Sequence, residues 1–316
     1  MATIADNTKI KTPLFVRKQA GGVFTVVNET LTTGNIFYVD SGQTTTGGTT
    51  SSFGRNPDAP FTTLASAVAQ CTANNGDMIF LMPGHSEAPT ATITINIAGL
   101  TIVGLGNGTN RPTFTHAHTA GDDNFDVTAA NVKIKNIYIA AGTNSGGNTV
   151  QVNVGASAHD FTMEKCKIEM GAKNLECFTV AATAHRGTLK DLTIVGTAAN
   201  PDTIITWEGG SDDWLIDGLD GIFTAATDID GPVFYQNAVK MENLRIRNVR
   251  IMPVAANGLV IDFNSASTGI VEKLRTYTLA TTVGDLYDWG SLMIVDVQAA
   301  GAATVGYQYP TATLAP

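Results

Sequence analysis

Charge is scarce in this sequence. Only 15% of its residues are Asp, Glu, Lys or Arg, against about a quarter in an average soluble chain. Those present lean acidic, 28 against 19, for a formal net charge of −9. That balance argues against a general nucleic-acid-binding surface, which would be basic. Cysteine is scarcer still: Cys71, Cys166 and Cys177 are an odd trio, unlike a disulfide framework, and read as small buried hydrophobes. No stretch approaches the roughly 18 apolar residues of a membrane-spanning helix. The opening Met1 to Lys9 also lacks the apolar run of a secretory signal. The expectation is a protein made in a cytoplasm, with neither membrane nor nucleic acid as partner. Glycine, 32 of 316 residues, follows no G-X-Y period, which excludes collagen, and 43% apolar content can build a substantial core.

What the chain does have is a repeat, and repeats decide architecture. Two apolar residues separated by two others recur as Ile102-Val-Gly-Leu105, Ile134-Lys-Asn-Ile137, Met163-Glu-Lys-Cys166 and Leu189-Lys-Asp-Leu192. The series continues as Ile216-Asp-Gly-Leu219, Ile246-Arg-Asn-Val249, Val271-Glu-Lys-Leu274 and Ile294-Val-Asp-Val297. The steps between first residues are 32, 29, 26, 27, 30, 25 and 23, within the range of solenoid repeats. On a straight strand, residues three apart point to opposite faces. A corner between them returns both to one interior, and a one-residue corner is easiest at left-handed backbone angles. The third cassette position reads Gly104, Asn136, Lys165, Asp191, Gly218, Asn248, Lys273 and Asp296. Six of these eight are Gly, Asn or Asp, the residues such a corner prefers.

Each repeat also carries a further short strand before the cassette, as at Phe125 and Val127, at Val150, Val152 and Val154, at Phe178 and Val180, at Ile205 and Trp207, and at Leu259, Ile261 and Phe263. Three strands per repeat describe one coil of a parallel β-helix, and about eight coils give a rod roughly 35–40 Å long. An antiparallel sandwich, which also alternates apolar with polar residues, is the competing fold. The repeated corner argues against it.

The start of the rod differs. Ile36-Phe-Tyr-Val-Asp-Ser-Gly42 precedes a Gly/Thr/Ser loop, then Arg55-Asn-Pro-Asp-Ala-Pro-Phe61, an apolar helical stretch Leu64 to Gln70, and Gly76-Asp-Met-Ile-Phe-Leu-Met-Pro-Gly84. This order resembles the opening of pectate-lyase-like right-handed β-helix proteins, a form frequent among bacteriophage tail and capsid-surface proteins. The resemblance implies an all-β right-handed parallel β-helix over residues 36–300, with a helix near 61–73 capping its open end. It carries fold more than function, since one fold hosts many activities.

Residues 1–35 lie outside the resemblance and form an arm. Lys9, Lys11, Arg17 and Lys18 outnumber Asp6 and Glu29, so the arm is basic where the body is acidic. The asymmetry suits a tether to an acidic partner surface or a neighbouring subunit; a solvated terminus is the plainer reading. A tail, 301–316, has no charged side chain from Ala302 to Pro316 and suits packing along a partner or disorder.

Catalytic chemistry is hard to find. Candidate carboxylates fall in three groups: Asp122, Asp123 and Asp126; Asp212, Asp213, Asp217 and Asp220; Asp228 and Asp230. A carboxylate pair can divide acid and base work if the two environments differ, but surface acidic loops are common. Asp212-Asp213 and Arg245-Ile-Arg247 match parts of the polygalacturonase motif set, without its Gly-His-Gly or Asn-Thr-Asp. Trp214-Leu-Ile-Asp-Gly218 is similar to a Trp-Ile-Asp-His motif of pectate lyases, with Gly218 in place of the histidine. His116 and His118 share a strand face and could grip a metal together, though two ligands are no zinc site; a solvent-facing polar strand is the expected setting. His85, in Pro-Gly-His-Ser-Glu87, reads as turn chemistry. No Walker loop, zinc-ligand set or nucleophile elbow appears, so no cofactor, metal or catalytic residue is expected.

The sequence reading is therefore a non-enzymatic bacteriophage virion protein made in the host cytoplasm. Within the virion it is a capsid decoration (cement) protein on the capsid surface, homotrimeric, and bound to the major capsid protein through Lys9, Lys11, Arg17 and Lys18 of the arm. A tail spike or fibre binding or cleaving host polysaccharide is the main alternative, for which exposed aromatic residues such as Tyr138, Trp214 or Tyr235 would speak. A cellular polysaccharide lyase or hydrolase is the third.

Overall fold

The structure is a computed structural model that describes residues 32, 34–42, 54–118, 122–142, 150–171, 176–196, 202–224, 229, 231–236, 239–254, 259–279 and 287–301, with the backbone of 304–309. The chain is a right-handed parallel β-helix. The first residues of all eight cassettes stand in one ladder, Ile102, Ile134, Met163, Leu189, Ile216, Ile246, Val271 and Ile294, each in register with the next. Phe37 and Ile79 continue that ladder ahead of the first cassette. The strand before the cassette builds a second, eight-stranded sheet on the other side of the coil. There Ile93, Phe125, Val152, Phe178, Ile205, Phe234, Ile261 and Tyr287 form the inward column.

The two inward columns meet in one continuous core. Fully buried Trp207, Trp214, Phe125, Phe178, Phe234 and Phe263 fill its middle, with the two indoles edge to face at 6.2 Å. Burying each large side chain stabilises the fold by about 1.5–3 kcal/mol before conformational entropy is set against it. Among the described residues the strands pair in parallel with one exception: Thr304–Tyr309 folds back antiparallel on Val297–Gly301. This part of the uncharged tail thus pairs with the chain's own last coil.

The corners are left-handed where the cassette requires them. Asn136, Lys165, Asp191, Gly218, Asn248, Lys273 and Asp296 have φ between 50° and 78°, the two lysines included. Gly104 is the exception, and the positive φ falls instead on Gly106 (98°). A second series of corners lies ahead of the cassette strand: Asn131, Asp160, Arg186, Asp213 and Asn243, with φ of 58–62°. The left-handed turn aims each backbone N–H along the rod. Asn131, Asp160, Arg186 and Asp213 donate to the carbonyls of His159, His185, Asp212 and Glu242 on the following coil, at 2.8–3.0 Å.

The helix is shorter than expected, Leu64–Val68, and starts at Thr63, whose hydroxyl accepts the Ser66 N–H at 3.3 Å. Leu64, Ala67 and Val68 turn into the core at the open end of the coil.

The low overall charge is not spread evenly over the coils. On the cassette strands one outward column reads Lys135, Glu164, Lys190, Asp217, Arg247 and Glu272, signs alternating coil by coil. Charge is concentrated on this side.

Candidate functional site

The outer face of the eight-stranded sheet is different in kind. Its outward column is Thr94, Asp126, Asn153, Thr179, Thr206, Tyr235, Asp262 and Asp288. Every charged residue in those eight strands is a carboxylate: Asp126, Glu176, Asp262 and Asp288. Lys133, Lys135, Lys167, Lys190, Arg245, Arg247, Arg250 and Arg275 all stand on the cassette strand or the strand after it. The rod is segregated into an acidic face and a face of mixed sign.

The acidic face is densest at Asp122, Asp123, Asp126 and Glu176. Asn153 Nδ2 donates to Asp126 at 3.3 Å, the Val150 N–H to Asp123 at 3.3 Å, and the Thr179 hydroxyl to Glu176 at 2.9 Å. Burial pushes the Asp123 carboxyl above its ordinary range; the Val150 N–H opposes this, and Asp126, Asp122 and Glu176 add to it. Burial raises Asp126 as well. Carboxyls shifted upward beside further carboxylates can hold and release a proton nearer neutral pH, the requirement for acid or base work. The amide and hydroxyls around them suit sugar hydroxyl groups.

The first acidic group of the sequence is therefore brought together, with one member that sequence reading missed. Glu176 opens the strand two coils on from Asp126, and only the register reveals it. The second group is dispersed into ties between coils. Asp212 accepts the Glu242 N–H (2.7 Å), Asp213 the Asn243 side chain (3.1 Å), Asp217 both Asn248 (2.7 Å) and Arg247 (2.8 Å), and Asp220 both arms of Arg250 (2.7 and 2.8 Å). Asp228 and Asp230 lie outside the described residues, as do Lys9, Lys11, Arg17 and Lys18 of the arm.

The histidines are corrected. His116 and His118 do share a face, but that face is the interior: both are buried, stacked at 5.1 Å, with His116 Nδ1 3.2 Å from His118 Nε2. The cause is local, since the His116 ring packs edge-on against Phe125 of the core. Among the described residues no group of three or more His, Cys, Asp or Glu is placed to hold a metal. His85 is not loose turn chemistry either. Its Nδ1 accepts the Ser41 N–H (3.0 Å), so Nε2 carries the proton to Glu87 (3.2 Å), whose Oε2 also takes the Leu64 N–H of the capping helix (2.9 Å). The trio pins the cap to the coil. His159 and His185, not singled out by sequence, stack with parallel rings at 5.6 Å, and His185 Nδ1 accepts the Asp212 N–H at 3.0 Å.

Trp214 is wholly buried, its indole N–H on the Ala184 carbonyl (2.6 Å). Tyr138 and Tyr235 face outward on different sheets, so no aromatic row forms. Cys166 and Cys177 are buried and Cys71 partly so; burial pushes the Cys71 and Cys166 thiols up to about 12.

The sequence matches no protein-family model and no curated protein. Solved structures do match. A pectin methylesterase in complex with a hexasaccharide superposes with a TM-score of 0.51 at 12% identity, over 87% of this chain and 91% of that one. The likeness is one of fold. Pectin methylesterase PemA from Erwinia chrysanthemi gives 0.47 at 14% identity over the same shares, and Geobacillus virus E2 ORF18 gives 0.37 at 10%, over 75% of this chain and 57% of that one. The pectate-lyase-like resemblance of residues 36–84 is thereby borne out at the level of fold. The expectation of a non-enzyme is corrected: the fold is one that pectin methylesterases use, so missing motifs do not decide against catalysis.

Proposed function

We propose that this chain is a structural protein of a bacteriophage virion, and within it a capsid decoration (cement) protein. It assembles with copies of itself as a homotrimer, and its basic arm, residues 1–35, contacts the major capsid protein. The observation that supports this reading is the segregation of charge. An acidic face of Asp126, Glu176, Asp262 and Asp288 on one side of the rod stands opposite a face of mixed sign that carries the lysines and arginines of the strands. Unlike faces on one protomer favour a head-to-tail ring, which a threefold axis closes.

Immunogold labelling of purified virions, with mass spectrometry of separated heads and tails, tests it. Label over the capsid shell is expected; label confined to tails, or absence from particles, overturns it. Removing residues 1–35 should abolish binding to undecorated capsids, and unchanged binding overturns the role of the arm.

A tail spike acting on host polysaccharide is the second reading. The specific observation in its favour is the clustering of Asp123, Asp126 and Glu176 among hydroxyl and amide groups, on a fold shared with a pectin methylesterase that holds a hexasaccharide. Tail-only labelling would select it.

A further inference from the structure

The coil containing the first cassette breaks the rule the others keep. The step from Ile102 to Ile134, 32 residues, is the longest of the series, Gly104 does not take the left-handed corner, and the chain runs on into a 3-10 turn at Gly108–Asn110. Asn136 of the next coil fastens this detour, its Nδ2 donating to the Gly104 and Gly106 carbonyls at 2.8 and 2.9 Å. Gly106 has no room for a side chain, since a Cβ there would lie 2.4 Å from the Asn110 carbonyl oxygen. The detour is a fixed wall.

Against the wall lies an open depression of about 500 Å3, lined by Gly108, Thr109, Arg111, Thr113, Tyr138 and Lys167. Thr113, Tyr138 and Lys167 are successive outward residues on three coils and form its floor. Lys167 Nζ sits 4.3 Å above the Tyr138 ring and 2.9 Å from Glu169 Oε1, which fixes the ammonium in place. Arg111 stands in the lining of the depression without an ion pair. Arg186, Arg247, Arg250 and Arg275 each hold a carboxylate on a neighbouring coil. Arg111 holds none among the described residues; its Nε, like that of Arg247, is buried without a hydrogen-bond partner. Arg111 therefore brings to the lining of the depression a guanidinium whose charge no described carboxylate answers, and a planar donor fork of this kind suits an anionic partner.

We propose that this depression is a binding site for an oxyanion, a carboxylate or phosphate group carried by a larger polar ligand, with Arg111 as the principal donor. The guanidinium fork matches either group. The Lys167 ammonium is already paired with Glu169 and leaves the anion's charge to Arg111; the Thr113 hydroxyl, which donates to the Arg111 carbonyl at 3.0 Å, can accept from a sugar hydroxyl, and the Thr109 hydroxyl can accept or donate. The site is independent of the virion reading and lies on a different sheet from the acidic face.

Calorimetric titration of the full-length protein with trigalacturonate, inorganic phosphate and uncharged maltotriose tests it. Saturable binding of trigalacturonate or phosphate is expected, at least tenfold weaker in Arg111→Gln and unchanged in Arg245→Gln, a control at an exposed arginine. Trigalacturonate binding alone identifies an acidic saccharide; phosphate binding alone identifies a phosphorylated ligand. A second measurement needs no variant: phenylglyoxal modification of Arg111, read by peptide mass spectrometry, should be slowed by the bound anion and not by maltotriose. Binding of neither anion, binding equal in Arg111→Gln, or modification that neither anion slows overturns the proposal.

Discussion

Arg247 Nη2 donates to Asp217 Oδ2 at 2.8 Å, across one coil and between residues that are register partners in adjacent strands. The pair is one step of the alternating column Lys135, Glu164, Lys190, Asp217, Arg247 and Glu272. Looping out one coil would set two like charges against each other at that point of the column, so the pattern favours a single stacking order. Asp217→Lys would place three cations in a row. A partly exposed pair contributes modestly, so a loss of about 1 kcal/mol is expected in chemical denaturation. The exchanged pair Asp217→Arg with Arg247→Asp should fall short of recovery, because Lys190 and Glu272 would then face their own sign. Full recovery would show that the pair acts alone.

Lys165 occupies a left-handed corner at φ 55° with its N–H committed to the Lys190 carbonyl at 3.0 Å. Only Gly, Asn and Asp adopt such angles cheaply. Lys165→Asn keeps the N–H and should stabilise the protein by about 0.5–1 kcal/mol, whereas Lys165→Val should destabilise it by about 1–2 kcal/mol. Thermal unfolding of the three proteins side by side checks both signs. Equal midpoints for Asn and Val would mean that the corner does not select its residue.

The fold was legible because its rule is local: a cassette of two apolar residues around a corner residue appears intact in every coil from Ile102 to Val297. The second corner series was equally local, Asn131, Asp160, Arg186, Asp213 and Asn243 each five residues before the first, yet one Arg among the Asn and Asp hid the pattern. The candidate site was less legible. Glu176 comes within electrostatic reach of Asp123 only through strand register, which sets it beside Val150, and the interior placement of His116 depends on its packing against Phe125. Such relations join residues some 10 to 50 positions apart, with no pattern between neighbours to announce them.

His116 gives the fold a response to acid. Burial, reinforced by the His118 ring, pushes its imidazole from 6.5 down to about 3. A base whose folded value is lowered stabilises the fold fully above its unfolded value, and that stability is lost as pH falls from about 6.5 toward 3. Stability of the wild-type protein should decline across this window, and His116→Leu, which cannot titrate, should decline less. The check is a set of urea midpoints from pH 7 to pH 3.5. Parallel curves would assign the acid response to other groups.

Asp126 should respond in the opposite direction. Burial raises its carboxyl above the ordinary range. The folded state therefore favours the protonated form, and a penalty appears as pH rises through the unfolded value near 4 and beyond the folded one. Asp126→Asn is nearly isosteric and removes that penalty. Its melting midpoint should exceed wild type by about 1 °C or more at pH 7 and match it at pH 3, where both side chains are neutral. A neutral-pH gain of this kind marks a carboxylate that the fold holds against its own stability, as sites of binding or proton transfer commonly are. If Asp126→Asn instead lowers the midpoint at pH 7, the carboxylate is a structural acceptor for Asn153, and the acidic face loses its strongest claim to chemistry.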